Sequence, residues 1–347
     1  MKTICLIASV CVLFSCTPAK PQSSQKVVEG IAQELLEDER FHSTTIVVYK
    51  GGKSIIRHYG ELTEGLGNTP TDSSLYDIAS LTKTFTGTLT AKAVLDGKLK
   101  LEDDIRQFLE DDYPNLQYRG EKITIQHLLT HRGGFPNFAP RSENKKVFFT
   151  GLRHIEIAQK PGDVYQYSNM APELMAFILE KVYGTPYHDL IRHHILQPNG
   201  METTRFSLVG VNAENIVKGY DGERPVAKLT QNLWGGATGL HVTAPDLLKY
   251  MQWQLDSTNE VVQESHRKLG QSPYGFDLGY YWNIVEEEGQ TICRHHGGTY
   301  GMQNWFMVYP KYNMGIAMLT NSSFEETGGI LEGLIEQLYH HLKNEDL

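Results

Sequence analysis

A serine and a lysine three residues apart on a helix stand one turn apart on one face, so the amine can take the hydroxyl's proton as the oxygen attacks a carbonyl. The chain carries that spacing at Ser23/Lys26, Ser80/Lys83, Ser142/Lys145 and Ser265/Lys268, and only the surroundings choose among them. Ser23 lies in a polar stretch, and Ser142 and Ser265 sit in Arg-Ser-Glu-Asn-Lys-Lys and Gln-Glu-Ser-His-Arg-Lys, which read as solvated. Ser80 alone opens an apolar helix. Leu81, Phe85, Leu89 and Ala93 recur at four-residue steps, which predicts a buried helix and a partly desolvated Lys83. Desolvation lowers a lysine pKa toward that of a working base. The plainer alternative makes Ser80 a helix N-cap and Lys83 a surface charge.

Tyr-x-Asn occurs at Tyr113, Tyr167 and Tyr281, and context again selects. Tyr167-Ser168-Asn169 follows Pro161-Gly162 and immediately precedes a helical run, so a short loop can aim a phenol and an amide into a cleft. A phenol beside a lysine ammonium is expected to titrate below its ordinary value of about 10, which suits a general base. Tyr113 and Tyr281 read as packing residues. The third element is Arg294-His295-His296-Gly297-Gly298-Thr299, closing a strand-like run. Neighbouring strand residues face opposite sides, so one histidine of the two faces a given cleft. The glycines permit close backbone approach, and the Gly298 N–H can pair with that of Ser80 as oxyanion donors. A purely structural loop is the alternative.

The elements that must position these residues follow from periodicity. Val27 to Leu36 is helical, and Thr44–Tyr49, Gly51-Gly52 and Ser54–Arg57 form a hairpin pattern. Helical signals dominate from about 80 to 269, at Leu81–Leu95, Ile123–Leu129, Ala171–Val182 and Pro245–Leu255. Strand-like runs return at Phe276–Val285, Thr291–Arg294, Asn304–Tyr309 and Met314–Leu319, before a closing helix from Ile330 to Leu342. The expected fold is therefore α/β of the α+β type. An antiparallel sheet built from about 27–79 and 270–347 is flanked by terminal helices, with a large, mostly helical subdomain inserted between.

In the order Ser80, Tyr167, His295 the three motifs resemble those of the serine β-lactamase and penicillin-binding-protein-like hydrolases, specifically the class C-like branch. Ile123–His131, Pro161–Asn169, Ile195–Met201 and Gly239–Ala244 with Asp246 also look like family blocks, so the resemblance spans roughly residues 40 to 343. It implies a β-lactamase/transpeptidase-like fold, acylation of Ser80, base work shared by Lys83 and Tyr167, and a substrate and oxyanion site formed by Asn169, His295, Gly297 and Gly298. No cofactor is implied. The departure is His295, where penicillin-binding proteins and most β-lactamases carry the lysine of Lys-Thr-Gly. A His-x-Gly variant occurs in related esterases and D-aminopeptidases. An imidazole of reference pKa about 6.5 is mostly neutral at pH 7, which weakens the clamp on a substrate carboxylate.

The 347 residues are ordinary globular composition, and 41 acidic against 32 basic residues give a formal charge of −9, which argues against nucleic acid as a partner. Three of the four cysteines, Cys5, Cys11 and Cys16, lie in the first sixteen residues, leaving Cys293 with no partner in the body. Residues 1–15 read as a signal peptide with Lys2 as the charged start, and Leu13-Phe14-Ser15-Cys16 resembles the lipobox of bacterial lipoproteins. That resemblance implies lipidation at Cys16, a polar tether over 16–26, export, and anchoring to a membrane on the periplasmic or outer-membrane side. His127 and His131 have the i, i+4 spacing of a zinc helix but lack its glutamate, so packing is the reading and no metal is expected.

The sequence thus points to an exported serine hydrolase acting on a small ester, amide or peptide. The alternatives are a D-amino-acid peptidase or weak β-lactamase on cell-wall-type substrates, or a non-catalytic cell-wall-binding lipoprotein of the same fold.

Overall fold

A computed structural model of the chain describes residues 23–137, 144–226, 233–345 and 347; the proposed leader and Cys16 lie outside them, as does Ser142. The alternating apolar residues of the two chain ends meet in one sheet. Its strands are β1 (Ser43–Lys50), β2 (Lys53–Gly60), β3 (Gly270–Gln271), β4 (Asp277–Leu278), β5 (Asn283–Glu287), β6 (Gln290–Thr299), β7 (Met302–Tyr309) and β8 (Met314–Thr320). They run in the order β2-β1-β8-β7-β6-β5-β4-β3, antiparallel throughout.

Period-two alternation gives the sheet two apolar faces. Ile46, Val48, Met307, Ile316 and Met318 pack with Val28, Ile31 and Leu35 of α1 (Ser24–Leu36) and with Leu331, Ile335 and Leu338 of the C-terminal helix Thr327–Leu342. Val47, Phe306, Val308, Ala317 and Leu319 face the helical region instead. That region contains α2 (Thr82–Leu95), α3 (Ile125–Leu129), α4 (Met170–Tyr183) and α5 (Ala244–Gln254). In α2, Phe85 and Leu89 are fully buried, and the hydroxyls of Thr84, Thr88 and Thr90 bond back to carbonyls three or four residues earlier. Those bonds allow a threonine-rich helix to sit in a core without orphaned polar groups.

Three local expectations are corrected. The stretch Phe276–Val285 is two strands, β4 and β5, broken where Tyr281 takes a left-handed backbone (φ +63°). The mostly helical middle also holds short strands, such as His241–Val242, which pairs with Tyr76–Asp77 just before that region; two-residue bridges leave no periodicity to read. Ser265 is buried rather than solvated, bonding to the Val262 carbonyl, while Lys268 turns outward to Asp277 and Glu286. The helix ends at Ser265, so Lys268 lies beyond it and the two residues of that Ser-x-x-Lys pair share no helical face.

Candidate active site

Ser80 sits in the 3₁₀ turn Ala79–Leu81 that leads into α2. The turn is fixed from upstream: the Tyr76–Asp77 strand is paired, Ile78 N–H donates to the Leu240 carbonyl at 3.1 Å, and Ala79 N–H donates to Asp77 Oδ1 at 2.8 Å. Ala79 is held at φ +47°, a conformation a Cβ disfavours, so the surrounding contacts dictate the path of the chain into Ser80.

One helical turn on, Lys83 is fully buried. Its Nζ donates to Ser80 Oγ at 2.9 Å, Asn169 Oδ1 at 2.7 Å and the Ala237 carbonyl at 2.9 Å. Burial pushes its pKa down to about 7, against the opposing pull of Glu173. A neutral amine keeps two N–H donors and gains one lone pair, a set that matches these partners with Asn169 and Ala237 as acceptors and Ser80 as donor. Tyr167 donates its O–H to the same Ser80 Oγ at 2.9 Å. Tyr167 is half-buried, and burial pushes its phenol up to about 12 despite the hydrogen bond to Ser80. That reverses the expectation of a lowered phenol: desolvation outweighs the neighbouring amine, which is itself near neutrality.

The Tyr167 loop is anchored at both ends. Ser168 Oγ donates to the Pro136 carbonyl and accepts from Met170 N–H and Ala171 N–H, capping α4. Asn169 adds a bond from Nδ2 to Asn137 Oδ1 at 3.0 Å.

His295 and His296 take opposite faces of β6. His296 packs near Trp305 and bonds through Nε2 to Gln303 Oε1, on the side of the C-terminal helix. His295 is buried on the side of Lys83 and Phe306. Its Nδ1 lies 2.7 Å from the His296 carbonyl, which only accepts, so Nδ1 carries the proton and Nε2 the lone pair. Burial and then Lys83 push its pKa down to about 3, so the ring is neutral well below pH 7. Gly297 is required by packing: a Cβ there would lie 2.3 Å from the Ile78 carbonyl, because β6 runs directly against the segment preceding Ser80. Gly298, next along, is exposed. β5 pairs with β6 only as far as Arg294, so His295 to Thr299 have no β5 partner and this edge of the strand lies open beside Ser80.

The structure therefore brings together Ser80, Lys83, Tyr167, Asn169, His295 and Gly297. It also supplies groups that sequence reasoning passed over. Glu173, fully buried on α4, accepts from the N–H groups of Trp234, Gly235 and Ala237, and so holds the loop whose Ala237 carbonyl binds Lys83. Burial raises its pKa while those three donors and Lys83 pull it back. Its signal was available as a lone acid inside the apolar run Met170–Leu179. Of the residues set aside, His127 closes the N-terminus of α3 through a capping box, and Tyr113 and Tyr281 are buried. Among the described residues no group of three or more His, Cys, Asp or Glu is placed to hold a metal ion.

The chain is similar to known proteins. A family model described as Beta-lactamase matches residues 28–338. The chain is 27% identical over 342 residues to Protein flp of Staphylococcus aureus (strain MW2), covering 92% of this chain and 67% of that protein. It is 24% identical to the D-alanyl-D-alanine-carboxypeptidase/endopeptidase AmpH of Escherichia coli (strain K12), covering 88% of this chain and 86% of that one. A class C beta-lactamase structure superposes with a TM-score of 0.83 at 22% identity, over 93% of this chain and 97% of that chain. The beta-lactamase/D-alanine carboxypeptidase of Yersinia pestis does so with a TM-score of 0.82 at 21% identity, over 93% and 99%.

Proposed function

The chain belongs to the beta-lactamase family, whose members are generally serine hydrolases or acyltransferases, and on that premise we propose that it hydrolyses an ester or amide bond through an acyl-Ser80 intermediate. The observation that carries this reading is the Ser80 hydroxyl held between Lys83 Nζ and Tyr167 Oη, each at 2.9 Å. Neutral Lys83 takes the Ser80 proton as Oγ attacks the carbonyl carbon, and the N–H groups of Ser80 and Gly298 receive the negative charge that develops on the carbonyl oxygen. Tyr167, a protonated phenol at neutral pH, gives its proton to the departing alkoxide or amine and recovers one from the Lys83 ammonium. Water then attacks the acyl-serine with Lys83 again as base, releasing a carboxylic acid and restoring Ser80.

The neutral His295 favours substrates without an anionic group at that position: small uncharged esters or amides. A second reading, hydrolysis of D-amino-acid peptides, draws on the open edge of β6, which offers strand-type hydrogen bonds to an extended peptide, and on the names of the AmpH and Yersinia pestis relatives. The Leu13–Cys16 run supports export and lipid anchoring at Cys16; Cys16→Ala should then move the protein from the membrane to the soluble fraction, and a fully membrane-bound variant refutes the anchor.

The test of the reaction is labelling of Ser80 by a fluorophosphonate, followed by a panel of p-nitrophenyl esters, D-amino-acid amides and nitrocefin. Absence of labelling from the native protein rejects the acyl-enzyme in favour of a binding-only protein, and labelling that survives Ser80→Ala rejects Ser80 as the nucleophile. Nitrocefin turnover above the best ester or amide rejects the substrate assignment.

A further inference from the structure

Three non-glycine residues with left-handed backbones lie around the site: Ala79 at φ +47°, His131 at +54° and Tyr281 at +63°. Such conformations persist in residues carrying a Cβ only where the surroundings over-determine them, and they gather at functional positions. Ala79 leads into the nucleophile. The other two belong to residues with no part in the proton transfers described above.

His131 is buried beside Tyr167, with ring centroids 4.6 Å apart at 36°. Tyr281 packs on it at 5.3 Å, and Tyr165 meets it edge-on at 6.1 Å. Its Nδ1 lies 3.2 Å from the backbone nitrogen of Ser168, which can only donate, so Nδ1 carries the lone pair. Its own carbonyl accepts from Gln166 N–H at 2.8 Å. One residue thus grips the loop through the residue before Tyr167, the residue after it and the phenol ring itself. The titratable groups facing His131 are Lys83, His295, Tyr165, Tyr167 and Tyr281; burial first, then Lys83 and His295, hold its pKa well below the usual histidine range, so it keeps its acceptor.

We propose that His131 is a positioning residue for Tyr167: its ring and its Nδ1 together fix where the phenol hydroxyl sits against Ser80 Oγ, and the left-handed backbone at 131 turns both groups toward the loop. The inference rests on the proton-donor role given to Tyr167. A misplacement of about 1 Å in such a group costs on the order of 100-fold in rate.

The test is a double-mutant cycle on the best ester substrate, with folding followed by thermal melts. His131→Asn keeps a residue type tolerant of the left-handed backbone and offers Oδ1 in place of Nδ1, but removes the ring against Tyr167. It should lower kcat at least about tenfold with KM little changed, and cost less than about twofold in a Tyr167→Phe background, because the group being positioned is gone. An equal loss in both backgrounds, or a wild-type kcat in His131→Asn beside a crippled Tyr167→Phe, overturns the positioning role alone. A wild-type rate in Tyr167→Phe overturns the role of Tyr167 and the inference with it. His131→Gln carries the same comparison if the Asn variant does not fold.

Discussion

Acidification should switch the enzyme off along a curve set by one buried amine. With Lys83 at about 7, about half of the molecules carry the neutral base at pH 7, about one in ten at pH 6 and about one in a hundred at pH 5. A lysine left at its ordinary 10.5 would be neutral in only about one molecule in three thousand at pH 7, so burial supplies roughly a thousandfold more working base. The sign follows from which form reacts: the charged form is inactive, so kcat/KM rises with pH and levels off above about 8. Glu173 is the acid facing Lys83 and favours its charged form, so Glu173→Gln should move the acid limb to lower pH. Tyr167, pushed up to about 12, stays protonated and adds no alkaline limb below about pH 10. The assay is kcat/KM for a p-nitrophenyl ester from about pH 5 to 10 at constant ionic strength, corrected for spontaneous hydrolysis, with Lys83→Arg as a base that cannot deprotonate. A limb centred near 10, a flat profile down to pH 5, or a limb near 7 that survives in Lys83→Arg would refute the assignment of Lys83 as base.

His295→Lys should raise the ratio of turnover on carboxylate-bearing to uncharged substrates, since it exchanges a neutral ring for a cation; an unchanged ratio over the same substrate panel counts against His295 as a selectivity residue. Gly297→Ala should destabilise the fold by about 1–3 kcal/mol, because its Cβ meets the Ile78 carbonyl at 2.3 Å, and should slow Ser80 phosphonylation; wild-type denaturant midpoint and labelling rate together exclude the tight contact. Acid stability carries a third expectation from His295, whose folded pKa of about 3 lies below the unfolded value. Between about 6.5 and 3 the unfolded chain binds the extra proton, so stability present above pH 6.5 is lost as pH falls, by about 1.4 kcal/mol per pH unit for that group. Denaturant titrations from pH 7 to 4 should show a shallower loss in His295→Asn, and an identical slope removes His295 from the account.

The sequence by itself determined what was local. The step of four from Leu81 to Ala93 marked a buried helix, the Ser80/Lys83 spacing put hydroxyl and amine on one face of it, and the strand-like runs at the two chain ends, whose side chains alternate between two faces, specified an antiparallel sheet flanked by the terminal helices. The same alternation required His295 and His296 to part company, but not which way each would face; packing of Trp305 and the C-terminal helix decided that. Tertiary structure also decided everything that depends on groups distant in the chain meeting in a water-poor place. Asn169 and Ala237 come from two further segments, and no periodicity encodes that they converge on the lysine that the Ser80 spacing places. Glu173 and His131 show the limit most clearly: an acid in an apolar helix and a histidine one turn from another are visible as residues, but their partners are the loop at 234–237 and the ring of Tyr167. The Tyr167 phenol was misjudged from sequence for the same reason. Reference pKa values and a neighbouring charge predict a lowered phenol, whereas the actual order, amine near 7 and phenol near 12, is set by desolvation, which exists only once the chain has closed around both groups.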